Sequence, residues 1–201
     1  SRVLLQSEQN IVQGGLIDTS EFFVNTNSDF INNGTIIQQD GGRVTVQGSA
    51  INNGDWSGDG AIYVDALNDF KNTATGMMNL ESITVGADTI NNYGYLNAIV
   101  VALDATKTFT NYGEINGSDL VQVNSGELLE NLGLIKGDTI SLVSSDDLWN
   151  QNRVEADSVL FLKGESVFND NIWNNIWGTS DRAIPDVLGG FSKYTEPTLI
   201  G

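Results

Sequence analysis

Aspartates that recur at a regular spacing are the residues that could most directly do chemistry. Asp119, Asp138 and Asp157 follow one another at 19-residue intervals, and Asp59 and Asp40 occupy the matching place earlier in the chain. Carboxylates stacked about 4.8 Å apart repel one another unless a cation or backbone donors compensate them. Calcium is a hard cation that prefers carboxylate and carbonyl oxygens. The spacing therefore predicts a calcium site on Asp59, Asp119, Asp138 and Asp157, with ordinary capping of turns as the alternative.

A second pattern of oxygen ligands overlaps the first of these aspartates. Asp55, Ser57 and Asp59 alternate before Gly60, as in the first half of an EF-hand calcium loop. The last position of such a loop requires a bidentate glutamate, and here it is Ala66. The segment therefore indicates a turn between strands rather than an EF-hand loop.

The residues most often used in catalysis are missing from the sequence. Its 201 residues include no histidine and no cysteine, which removes the Ser-His-Asp triad, thiolate nucleophiles and most zinc chemistry. Asp146 and Asp147 form its one adjacent acidic pair. We therefore predict that the protein is not an enzyme. The alternative is a small polysaccharide-degrading enzyme that uses paired carboxylates.

The charge balance limits the partners and the location. The chain has 26 acidic and 9 basic residues, a formal net charge of −17, which repels nucleic acid and anionic lipid headgroups. No apolar run approaches the roughly 18 residues needed to span a bilayer, so no membrane insertion is expected. The absence of cysteine fits a chain that is exported unfolded as well as it fits the cytosol.

An internal repeat organises most of the chain. Its unit is apolar-x-Asn-x-Gly-x-apolar, as in Phe30, Asn32, Gly34 and Ile36, and it returns at a nearly constant interval. We predict a structural ladder of stacked amides, with asparagine tolerating the turn conformation and the following glycine supplying a positive φ. The predicted Asn column consists of Gln13, Asn32, Asn52, Asn72, Asn92, Asn111, Asn131, Asn150 and Asp170.

Each repeat also contains a stretch in which apolar and polar residues alternate, which predicts a strand. The inward pairs predicted from this alternation are Val44 and Val46, Ile62 and Val64, Ile83 and Val85, Val121 and Val123, Ile140 and Leu142, and Val159 and Phe161. A unit of about 20 residues with several turn signals is too short for a strand plus an ordinary helix. We therefore predict a single-domain, all-β, right-handed parallel β-helix (β-solenoid) of about nine coils over residues 1–170.

The chain beyond the last repeat differs in composition. Both prolines and several aromatic residues fall in residues 171–201, which predicts a non-repeating cap or linker. Tyr93 and Tyr112, followed one repeat later by Leu132, come directly after the Asn column and should point outward. They could form a ridge that binds a ligand or a partner, or they could simply stack on one another.

The repeat unit with its second, alternating strand resembles the haemagglutinin-type repeats of bacterial filamentous haemagglutinin-like exoproteins, which are secreted by the two-partner route. The resemblance covers about residues 11–170. It implies a right-handed β-helical shaft, export across a Gram-negative envelope, and a role in adhesion or in presenting a distal tip.

These observations predict a non-catalytic extracellular or cell-surface β-solenoid that is structural or adhesive. It would be a shaft segment of an adhesin or exoprotein, or a self-assembling filament subunit; a phage fibre segment is a further alternative. The expected partners are other coils joined end to end at the apolar N-terminal stretch Val3 to Leu5, and a glycan or protein on a host or cell surface. No cofactor is expected apart from calcium.

Overall fold

The structure of the chain is a computed structural model that describes residues 1–169 and 173–175. Within these residues it consists of strands and turns, without a helix. Asp170 and, apart from the strand Trp173–Asn175, the predicted cap lie outside the described residues. The division into repeats and a cap therefore stays a prediction.

Nineteen strands follow one another along the described part of the chain. Their bounds are Arg2–Ser7 (β1), Ile11–Gln13 (β2), Leu16–Thr26 (β3), Phe30–Asn32 (β4), Thr35–Val46 (β5), Ala50–Asn52 (β6), Asp55–Ser57 (β7), Ala61–Ala66 (β8), Asp69–Asn72 (β9), Met77–Asn79 (β10), Ser82–Asn92 (β11), Tyr95–Asn111 (β12), Glu114–Ser125 (β13), Leu129–Asn131 (β14), Leu134–Ser144 (β15), Asp147–Asn150 (β16), Arg153–Lys163 (β17), Ser166–Asn169 (β18) and Trp173–Asn175 (β19).

The strands wind into a three-sided coil of about 20 residues, and about eight turns stack on one another. Each coil is named here by its residue in the Asn column. In the Asn32 coil, face 1 is Phe30–Asn32, face 2 is residues 35–38 and face 3 is residues 41–46. Every strand pairs in parallel with its counterpart in a neighbouring coil, so the predicted all-β parallel β-solenoid is confirmed. The right-handed winding stays a prediction.

The interior is filled by the apolar side chains that alternate along each strand. Inward residues such as Ile62 and Val64 are buried, while their strand neighbours Tyr63 and Asp65 face solvent. Aromatic rings fill the core near the N-terminal end, where Phe22 and Trp56 pack edge to face at 5.5 Å. No single coil could bury these residues alone, because each is covered only by the layers above and below it.

The prediction that Val159 and Phe161 point inward is wrong. These side chains are 51% and 40% exposed, respectively. Their neighbours Leu160 and Leu162 take the inward places, and they pair with Ile140 and Leu142 of the preceding coil.

The reversal comes from one extra residue at a corner. Between faces 2 and 3, the Asn150 coil has both Asp157 and Ser158, whereas the Asn131 coil has Asp138 alone. Because side chains alternate with a period of two, an added residue changes which members of the following strand point inward. The interval between these two coils is therefore longer by one residue on face 3 than on the other two faces.

The first coil is covered on one side only within the described residues. The strands Arg2–Ser7 and Ile11–Gln13 each pair with one neighbour, on their C-terminal side. The inward side chains at this end are only partly buried, and they are those of Val3, Leu5, Ile11 and Ile17.

Candidate functional site

A continuous line of buried asparagine amides runs through the interior beside face 1. Each Nδ2 donates to the Oδ1 one coil further toward the C-terminus, at 2.7 to 2.9 Å. Asn169, rather than the predicted Asp170, holds the last described place, because it pairs with Asn150 in the strand register. Asn169 is exposed, and the other members are buried. The eight members of this Asn ladder are Asn32, Asn52, Asn72, Asn92, Asn111, Asn131, Asn150 and Asn169.

The second amide proton of the six ladder residues from Asn32 to Asn131 is used at the adjoining corner. Asn92 Nδ2, for example, also donates to the carbonyl oxygens of Gly94 and Glu114, at 3.3 and 3.2 Å. Asn92 is fully buried, and these hydrogen bonds pair its amide both within the coil and between coils. A buried polar group costs little stability only when it is paired in this way.

Gln13 occupies the first place of the column but does not join the ladder. Its Nε2 donates to the carbonyl oxygens of Gly15 and Thr35, at 2.7 and 3.3 Å. Its Oε1 is buried without a hydrogen-bond partner. Glutamine is longer than asparagine by one methylene group. The Gln13 amide therefore reaches the carbonyl groups at the corner but does not bond to the amide of Asn32.

The glycine two residues after five of the ladder asparagines is required by close contact. A Cβ on these glycines would lie 2.0 to 2.1 Å from the carbonyl oxygen of a glycine one coil earlier, at Gly34, Gly54, Gly94, Gly113 and Gly133. None of the five has a positive φ, so the prediction that they supply one is wrong. Gly58, at another corner, does combine a φ of +135° with close contact to a neighbouring backbone.

Outer amides form a second, shorter ladder that the sequence analysis missed. Asn97 Nδ2 donates to Asn79 Oδ1 at 2.5 Å, and Asn116 Nδ2 donates to Asn97 Oδ1 at 2.7 Å. These residues share one outward column of face 2. The repeated Asn one strand after the main column was the available signal.

The predicted calcium ligands lie on a single edge of the coil, between faces 2 and 3. This acidic corner carries one of the following residues per coil: Asp40, Asp59, Glu81, Ile99, Asp119, Asp138 and Asp157. Asp59 and Asp119 are exposed, whereas Asp138 and Asp157 are partly buried. Asp59 is separated from the other three predicted ligands by the coils of Glu81 and Ile99.

The acidic corner does not gather a ready set of metal ligands. Asp138 accepts a hydrogen bond from the Ser158 hydroxyl group. Within residues 1–169 and 173–175, no three His, Cys, Asp or Glu side chains are grouped so that they could hold a metal ion. Asp55–Ser57 forms a strand, which agrees with the view that this segment is no EF-hand loop. Calcium binding stays a prediction.

An open groove of about 440 Å³ interrupts the acidic corner at its middle. Leu80 and Ile99 provide its apolar surface, and Asp59, Asn79 and Glu81 provide its polar surface. Ile99 is 49% exposed although its neighbours along the corner are acidic. Glu81 was not predicted because two residues inserted after Asn72 place it 22 residues after Asp59. Ile99 was not predicted because it is apolar, although it lies 20 residues before Asp119.

Tyr93 and Tyr112 stack face to face on the outside of the corner between faces 1 and 2. Their ring centroids are 4.7 Å apart and their planes differ by 3°. The Lys71 ammonium group lies 5.4 Å from the centroid of the Tyr93 ring. Stacking covers one face of each ring, and the two side chains stay 39% and 48% exposed, respectively.

The third corner, between faces 3 and 1, carries an exposed ion pair. The Lys107 ammonium and the Thr106 hydroxyl group each donate to Asp88 at 2.5 Å. These hydrogen bonds, that of Lys107 first, lower the pKa of the Asp88 carboxyl, and the same pairing raises the pKa of Lys107. Asp146 and Asp147, the adjacent acidic pair, lie at this corner too, about three coils beyond Glu81.

Comparison with known proteins adds no relative: no family model, curated protein or solved structure matches the chain. The described residues contain no helix whose length and apolar character would allow it to span a bilayer. The resemblance to filamentous haemagglutinin-like repeats therefore stays a prediction that rests on the repeat pattern.

Proposed function

We propose that the protein is a non-catalytic extracellular shaft, a segment of a cell-surface adhesin or exoprotein that holds a more distal part away from the surface. The observation that carries this proposal is the Asn ladder, whose seven amide bonds run without interruption through the stacked coils. A buried amide line of this kind ties each coil to the next at one fixed register and stiffens the stack.

The dimensions of the coil support the same role. About eight coils spaced by about 4.8 Å give a rod of roughly 40 Å. Its corners are short, so that successive faces join through one to a few residues. The resemblance to exoprotein repeats points to export, and the high negative charge favours solubility of the exposed rod.

Surface labelling of the source cells tests the extracellular role. Antibodies raised against the purified chain should label intact cells, and protease added outside should remove the signal. A cytoplasmic marker protein serves as the control for cell integrity. Labelling that requires permeabilised cells would contradict the proposal.

End-to-end assembly is a second candidate, and the first coil favours it. Within residues 1–169 and 173–175 the strands of that coil pair on one side only, and four inward aliphatic side chains there are only partly buried. Free parallel edges pair readily with further strands. Light scattering coupled to size-exclusion chromatography, with negative-stain microscopy, should show rods that lengthen with concentration; a monodisperse monomer at all concentrations would exclude assembly by the isolated chain.

A further inference from the structure

The groove in the acidic corner combines an apolar surface with unpaired carboxylates. Leu80 and the half-exposed Ile99 supply the apolar surface, and Asp59 and Glu81 supply the carboxylates. Neither Asp59 nor Glu81 forms a side-chain hydrogen bond or an ion pair within the described part of the chain. The side chain that fits such a groove has an aliphatic stem and a cationic end, which describes lysine or arginine.

The corner also carries negatively charged residues on both sides of the groove. Asp40 precedes it, and Asp119, Asp138 and Asp157 follow it, while no basic residue occupies the corner in any described coil. The basic side chains that form ion pairs lie outside this corner: Arg2 and Arg43 on face 3, Lys107 at the corner between faces 3 and 1, and Arg153 on face 2. The acidic corner therefore has a negative potential that the rest of the chain does not neutralise.

We infer that the acidic corner is a docking surface for a basic, extended polypeptide segment, whose lysine or arginine stem lies on Ile99 in the groove. The partner crosses several coils, so that its other basic side chains face Asp40, Asp119 and Asp138. This inference goes beyond the shaft role and does not depend on where the protein resides.

A metal ion explains the corner less well than a basic side chain. Calcium requires several oxygen ligands around one point, whereas the corner places one residue per coil and an isoleucine at its centre. An aliphatic surface between carboxylates is unfavourable for a bare cation and favourable for the methylene groups of a lysine stem.

Fluorescence anisotropy with labelled decalysine at low ionic strength tests the inference. Replacing both groove carboxylates (Asp59→Asn with Glu81→Gln) should weaken binding about three- to tenfold, as expected for two exposed ion pairs. Ile99→Ser, which leaves the charge unchanged, should weaken binding about threefold because the apolar contact is lost. Equal binding by the wild type and Ile99→Ser would overturn the groove as the docking point.

The matched control removes the same charge elsewhere. Asp104→Asn with Glu127→Gln alters two exposed carboxylates outside the acidic corner, and its affinity for decalysine should stay within about twofold of the wild type. A loss as large as that of the groove variant would show that only total charge matters, which overturns the inference. Circular dichroism verifies that each variant is folded.

Zero-length cross-linking provides an independent readout on the unmodified chain. A carbodiimide should couple decalysine amines to Asp59 or Glu81, as mapped by mass spectrometry. Cross-links confined to the corner between faces 3 and 1 would overturn the inference. A separate titration with calcium chloride, without decalysine, tests whether the corner binds a metal ion instead. Saturable calcium binding that the groove variant abolishes would replace the basic segment with a metal.

Discussion

At the scale of single residues, an asparagine in the ladder is at once a donor to one coil and an acceptor from another. Asn92 accepts from Asn72 and donates to Asn111, at 2.9 and 2.8 Å. Glutamine cannot do the same in this space, as Gln13 shows with its buried, unpaired oxygen. The length of the side chain therefore decides whether an amide continues the ladder.

Asn92→Ala should lower the free energy of unfolding by about 3 kcal/mol, since it leaves two buried amides short of a partner. Asn91→Ala is the matched control, because Asn91 points outward from the same strand. It should change stability by less than about 0.5 kcal/mol. Urea unfolding followed by circular dichroism measures both; equal losses would show that the ladder adds nothing specific.

Gly113→Ala should destabilise the fold by about 2 kcal/mol or more, because its Cβ would lie 2.1 Å from the Gly94 carbonyl oxygen. Gly86→Ala provides the comparison, since the nearest atom to its Cβ would be 3.7 Å away. It should be neutral or stabilising by about 0.5 kcal/mol, as alanine is less flexible than glycine in the unfolded chain. Thermal unfolding of both variants decides the matter, and a stable Gly113→Ala would disprove the contact argument.

The sequence identified the repeating residue types but not the reasons for all of them. Asparagines at a nearly constant interval predict the ladder, because only stacking explains such regularity. The column end was placed on Asp170 instead of Asn169, since the interval varies by one residue from coil to coil and the pattern alone cannot choose between them. The glycine column was attributed to φ because contact between carbonyls of neighbouring coils is a property of the stack.

At the scale of elements, the coil is the unit that can be added or removed. Its three strands follow from the alternation of apolar residues, which is why the fold could be predicted from the sequence. The number of residues at each corner is harder to read from the sequence. One additional residue at Asp157 and Ser158 turns Val159 and Phe161 outward, whereas the alternation alone predicts that they point inward. The groove at Ile99 could not be predicted from the sequence, because it depends on which corner residues of successive coils lie next to one another.

Deletion of residues 92–110 should leave a folded protein that is one coil shorter. The deletion joins Asn91 to Asn111, so that each face keeps its register and the ladder stays continuous. Small-angle scattering should show a rod shortened by about 4.8 Å, with a circular dichroism spectrum of unchanged shape. Deletion of residues 92–101, half a coil, is the control and should prevent cooperative folding; a folded control would contradict the modular description.

At the scale of the whole molecule, the net negative charge opposes contact between rods. The net charge of −17 at pH 7 falls to zero near pH 4.1. At that pH electrostatic repulsion no longer opposes contact between molecules.

Dynamic light scattering should therefore show larger particles near pH 4 than at pH 8, at equal protein concentration. Screening by salt at pH 8 should move the particle size in the same direction, because added ions shorten the range of repulsion. Circular dichroism at each pH separates association from unfolding. An unchanged particle size at pH 4, with the fold intact, would refute this account.

The ladder also makes the rod electrically polar. Backbone hydrogen bonds between parallel strands point alternately up and down the stack, so their dipoles largely cancel. All seven amide bonds of the ladder point the same way, from each Nδ2 to the Oδ1 one coil further on. Their dipoles add, with the positive end toward the C-terminus, and bonds in series polarise one another. Two such rods lying side by side are thus lowest in energy when they run in opposite directions.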